Sequence, residues 1–95
     1  MSSEFQSIYN HHERTVIELV RTTAAARHPH MQGEILADVA CVALNRLPPR
    51  YIRHEVDFAF YLSDKERANT ERAISEAVTF AFEFVQARLA MRARS

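Results

Sequence analysis

Two adjacent prolines, Pro48 and Pro49, separate a stretch of helical periodicity from one that alternates. Neither has an amide hydrogen to donate, and Pro48 pushes Leu47 out of helical geometry, so a helix entering from the N-terminal side must stop there. Before the prolines, Leu36, Val39, Ala40, Ala43, Leu44 and Leu47 form one apolar stripe, widened by Ile35 and Val42. This predicts a helix over Glu34 to about Asn45, expected to be the most buried element. After them the pattern changes. Ile52, His54, Val56, Phe58, Phe60 and Leu62 fall on one side, and Arg53, Glu55, Asp57, Ala59 and Tyr61 on the other. A period of two with β-branched and aromatic residues predicts a strand over 52–62.

The flanking segments read as helices. Ser3 and Gln6 make a capping box that opens a first helix running to about Ala26, with Phe5, Ile8, Tyr9, Val16, Leu19 and Val20 at helical spacing. Pro29 and Gly33 in "RHPHMQG" break it. A second box, Ser63 with Glu66, launches a helix over Asp64 to about Arg92. Its stripe is Ile74, Ala77, Val78, Ala81, Phe84, Val85 and Leu89, with Phe80 and Phe82 outside it. A sector that broad suggests packing both on the other helices and on a second copy of the chain. Ninety-five residues make one domain, 1–95, and 47% hydrophobic residues with one glycine and three prolines give a helical profile. The expected fold is mainly α: three helices in a small domain, with one short strand between the second and third.

A lone strand leaves backbone donors and acceptors unused on both edges. No second alternating run exists in the sequence, so the expected mate is the same strand of another subunit, paired antiparallel across a twofold axis as a homodimer.

Charge and motif content exclude several function classes. Twelve basic and twelve acidic residues cancel, which disfavours a generic grip on nucleic acid or a membrane surface. Cys41 is the single cysteine and precludes an intramolecular disulfide. The opening segment lacks a secretory signal and no apolar run approaches about 18 residues, so the cytoplasm is the expected location. There is no nucleophile motif, Gly-rich phosphate loop or zinc-protease spacing, and His11 and His12 are expected on different sides of a helix, so no enzyme activity is expected. Arg88 and Arg92, four apart near a helix end, complement its dipole.

The densest basic cluster is Arg46, Arg50 and Arg53, with Tyr51 and His54 as stacking surfaces and Glu55 and Asp57 as acceptors. Two readings stand. In one, Arg46 and Arg50 cap the second helix and Arg53 pairs with Asp57 or Glu55. In the other, the guanidinium groups form an anion site, since arginine forks onto phosphate, stacks on purines and pairs with guanine. Asp38 and Asn45 read as organisers of the turn at residues 48–51.

The segment "DVACVALNRLPPRYIRHE" resembles the signature of the late competence development protein ComFB family, through Asp38, Val39, Ala40, Ala43, Leu44, Asn45, Leu47, Pro48, Pro49 and Tyr51. Asn10, Glu13 and Val16 echo the family's opening motif. The resemblance implies a small helical homodimer, and a cytoplasmic signalling receptor that binds a cyclic dinucleotide second messenger and relays it to partner proteins. In that reading Arg46, Arg50, Tyr51, Arg53, His54 and Asp57 bind the ligand. Asp57 favours cyclic di-GMP over cyclic di-AMP, because a carboxylate accepts from paired guanine hydrogens. The alternative is an adaptor in competence or motility that binds protein without a small ligand. Bacillus-type members carry a zinc-binding cysteine cluster between the first two helices. Here that loop has His28 and His30 but no cysteine, and joining them with His11 and His12 would take a convergence the spacing does not suggest, so no metal or other cofactor is expected.

Overall fold

The computed structural model describes residues 3–94, and the side-chain surroundings of these apart from residues 3, 57, 58 and 61. In chain order the elements are α1 (Ser3–Gln6), β1 (Tyr9–Asn10), α2 (His12–Arg27), α3 (Glu34–Asn45), β2 (Tyr51–Ile52), α4 (Glu55–Tyr61) and α5 (Asp64–Arg94). The protein is mainly helical, with one antiparallel two-stranded sheet.

The core lies where α2, α3 and α5 meet. Val16, Val20 and Ala24 recur every four residues on α2 and are buried against Val39 and Ala43 of α3 and Ile74, Val78, Ala81, Phe82 and Val85 of α5. Met31 and Leu47 close it from the connecting segments. Alanines at 43 and 81, both fully buried, let the helix axes approach closely. The turn into α3 needs Gly33, whose φ of 53° lies in the left-handed region that a Cβ disfavours.

Helix α3 occupies the predicted span, stopped at the prolines, and α5 starts at the predicted residue. Ser63 and Glu66 form the capping box: the Ser63 amide donates to Glu66 Oε1 at 3.1 Å and the Glu66 amide to Ser63 Oγ at 3.1 Å. The Ser3 side chain of the other expected box lies outside the described residues. In α3 five of twelve positions are exposed, Asp38, Cys41 and Asn45 among them, a smaller share than in α2 or α5, as expected of the most buried element, although the longer α5 supplies more buried side chains. The stripe of α5 is as predicted at Ile74, Ala77, Val78, Ala81 and Val85, all buried, and differs in its aromatic residue. Phe82 is 3% exposed and stacks on His28, ring centroids 4.6 Å apart, whereas Phe84 is 40% exposed. His28 Nδ1 lies 3.2 Å from Gln86 Nε2, so the loop after α2 supplies the partners that draw Phe82 inward.

Two expectations are corrected. The first helix is not continuous from Ser3 to Ala26; it is interrupted at residues 7–11, where Tyr9–Asn10 becomes strand β1. The strand expected over 52–62 is confined to Tyr51–Ile52, and Glu55–Tyr61 is helix α4. Tyr9 pairs with Ile52 and Asn10 with Tyr51, so the strand finds its mate within its own chain. The backbone requirement that argued for pairing between subunits is met locally. Val56 and Phe60, four apart, satisfy a helical as well as an alternating pattern, and they are 73% and 83% exposed, so no core contact enforced the strand.

Helix α5 has 31 residues, about 46 Å of length at 1.5 Å per residue. It sets the longest dimension of 47 Å and gives a radius of gyration of 15.5 Å, above the roughly 12–13 Å of a compact domain this size. Among the described residues, no helix is long and apolar enough to cross a membrane.

Candidate functional site

The motif around the prolines is held in place from the N-terminal end of α2. The last turn of α3 tightens, with the Arg46 amide donating to Ala43 O at 3.1 Å and the Leu47 amide to Leu44 O at 3.2 Å. Leu47 is thereby driven into the core and Pro48 and Pro49 turn the chain outward. Asn10 then catches it. Its Oδ1 accepts from the Arg50 amide at 3.1 Å and from the His12 amide at 3.2 Å, using both lone pairs. The His11 amide donates to Arg50 O at 2.7 Å. The start of α2 and the Pro-Pro-Arg-Tyr segment are one hydrogen-bonded unit.

These constraints shape a cleft of about 260 Å³. Leu47, Leu62 and Ala73 supply apolar lining, Pro48 and Pro49 one wall, and His12, Arg50, Asn69 and Thr70 its polar groups. His12 is 7% exposed, and its Nδ1 is buried without a hydrogen-bond partner among the described residues. Burial lowers its pKa below the usual imidazole value, the neighbouring His11 and Arg50 lower it further, and the Pro48 carbonyl opposes them by favouring a ring proton. The Glu66 pKa is lowered too, chiefly by its hydrogen bonds to Ser63 and to a lesser degree by Arg50. With a neutral imidazole and the Arg50 guanidinium beside one another, the cleft can take an anion with an apolar or aromatic body.

Of the residues expected to bind ligand, Arg50 lines the cleft and Tyr51, Arg53 and His54 follow it along the same end of the molecule. Tyr51 is 66% exposed. Arg53 Nε donates to Ser7 Oγ at 3.0 Å. Glu55 is turned to His11 and Arg14, 3.9 and 3.8 Å away. His54 is exposed and precedes α4. The Asp57 side chain lies outside the described residues. Arg46 is absent from the cleft lining: its guanidinium carbon lies 3.8 Å above the centre of the Phe80 ring on α5. Asn45 turns back on its own helix, donating to Cys41 O at 2.9 Å, and does not organise the turn. His28 and His30 lie beyond one end of α2 and His11 and His12 at the other, about 24 Å apart along a 16-residue helix. Sequence reasoning missed Asn10 and His12 as parts of the site. The only signal for Asn10 was its faint motif match.

Neither curated proteins nor solved structures gave a match. The family model described as Late competence development protein ComFB matches residues 9–89, a span that begins at β1, takes in Asn10 and the Pro48–Pro49 turn it holds, and ends within α5. The chain therefore belongs to the ComFB family.

Proposed function

We propose that this protein is a cytoplasmic receptor for a cyclic dinucleotide second messenger, cyclic di-GMP in preference to cyclic di-AMP, and that it relays the bound state to partner proteins in a competence-related process. The observation that carries this reading is the Arg50 cleft. It combines a guanidinium with apolar walls at the motif that the family resemblance singles out, and Tyr51, Arg53 and His54 continue from it as further stacking and phosphate-binding groups. Arg46, held on Phe80, is left out of this set.

The volume supports a shared site. About 260 Å³ lies just below the roughly 300–1,000 Å³ of small-molecule pockets, enough for one base and too little for a whole dinucleotide. A twofold-symmetric ligand is met most simply by two copies of one cleft. A homodimer is therefore part of the proposal. The proposed contact uses exposed apolar side chains and not strand pairing: Phe5, Val56 and Phe60 are all more than 70% exposed.

Calorimetric titration with cyclic di-GMP, cyclic di-AMP and GTP tests the reading. Cyclic di-GMP should bind at micromolar protein, and Arg50→Ala with Arg53→Ala should abolish the heat while leaving the circular dichroism spectrum unchanged. Absence of heat with either cyclic dinucleotide excludes the receptor and leaves the adaptor, which would retain a protein partner regardless of nucleotide.

A further inference from the structure

His12 sits where an imidazole is costly in either protonation state. It opens α2 and lines the Arg50 cleft, yet it is 7% exposed, and its Nδ1 is buried with no hydrogen-bond partner among the described residues. The Pro48 carbonyl favours a proton on the ring. Since Nδ1 has no partner, that proton belongs on Nε2, and the neutral ring keeps a bare lone pair inside the protein at the nitrogen a second proton would take. The groups around the ring oppose that step. His11 precedes it on α2, ring centroids 5.8 Å apart, and Arg50 lines the same cleft from the turn after α3. Asn10 Oδ1 accepts from the backbone amides of both His12 and Arg50, which fixes the two residues beside one another. From α5, Asn69 and Thr70 enter the cleft without charge, and Glu66 is engaged by Ser63. Glu55 of α4 is turned to His11 and Arg14, and among the described residues no carboxylate pairs with His12.

An anion in the cleft changes this balance. Its negative charge beside Arg50 offsets the repulsion that keeps the imidazole neutral, so the ring charges more readily in the filled cleft than in the empty one. The coupling is reciprocal: the factor by which the anion favours the proton is the factor by which the proton favours the anion. We propose that the Arg50 cleft takes up a proton on His12 together with its anionic ligand, so that binding there tightens as pH falls. This rests on the reading of the cleft as the ligand site and adds acidity to what that site senses. In the empty protein the same proton only destabilises the fold; in the bound protein it is matched by the ligand's charge.

Calorimetric titration with cyclic di-GMP at pH 7.5 and at pH 5.5 tests this, since neither the phosphodiesters nor the guanines of that probe titrate in between. Affinity should rise at least about threefold towards the lower pH, within the ceiling of about tenfold per pH unit that one proton sets. Titrations at pH 6 in two buffers of different ionisation heat should show net proton uptake on binding. His12→Gln should bind with nearly the same affinity at both pH values. Should that variant fail to fold by circular dichroism, the parent decides: the His12 ring, followed by NMR, should titrate at higher pH with cyclic di-GMP than without it. Constant affinity with no proton uptake overturns the proposal and leaves the cleft a ligand site. A pH dependence that survives in His12→Gln also overturns it, by putting the proton on another group such as His11 or His54. Absence of heat at both pH values removes the ligand site and this proposal together.

Discussion

A single amide oxygen, Asn10 Oδ1, holds two backbone amides that the chain separates by 38 residues, those of His12 and Arg50. Asn10→Ala leaves both donors without this acceptor, and each lost bond of this type costs about 1–3 kcal/mol when the donor stays unsatisfied. Urea unfolding should show the variant destabilised by at least about 1 kcal/mol; an unchanged midpoint would mean that the turn is held by other contacts. His12 links the same region to pH. Its folded-state pKa is below the unfolded value of 6.5, so the unfolded chain binds the proton more readily. Its contribution to stability is fully present above pH 6.5 and is lost as pH falls through the lowered folded value. Thermal melts between pH 8 and pH 5 should therefore decline more steeply for the parent than for His12→Gln; parallel declines would contradict the assignment. Glu66, whose pKa is also lowered, acts further down, below its ordinary value of 4.5, and does not overlap the start of this window.

At the scale of elements, what was legible in the sequence was whatever carried an explicit start or stop. Pro48 and Pro49 ended α3 where expected, and Ser63 with Glu66 began α5 where expected. Ser63→Ala should lower stability by about 1 kcal/mol, the usual cost of a lost N-cap, read from the denaturation midpoint. Strand β1 was not legible, because two residues carry no period, and what fixes it is a side chain bonding to a segment remote in sequence. Helix α4 was misread because Val56 and Phe60 face outward, so the premise that alternation marks a buried face did not apply to them. The arginine cluster was visible as composition, but which arginine enters the cleft was not, since Arg46 is taken by a ring on α5 that no local pattern announces. Which aromatic residue α5 buries is testable. Phe82→Ala should cost about 3–5 kcal/mol, as for a buried aromatic, and Phe84→Ala distinctly less. The reverse order in chemical denaturation would put Phe84 in the core, as its spacing suggested.

At the scale of the whole molecule, a 31-residue helix outruns the small core it helps to build. The chain is more extended than a compact domain of its size, and it carries exposed apolar side chains from Phe5 at one end of the sequence to Met91 at the other. A second copy would cover part of this surface and bring two Arg50 clefts to one ligand, which joins the proposed assembly to the proposed function. Sedimentation velocity at micromolar concentration should give the mass of two chains, and Phe60→Glu, which sets a charge on the exposed face of α4, should shift it towards one. The most direct test is the stoichiometry of cyclic di-GMP binding by calorimetry. The shared-site account predicts one ligand for every two chains. Saturation at one ligand per chain, with the protein sedimenting as a monomer, would contradict it.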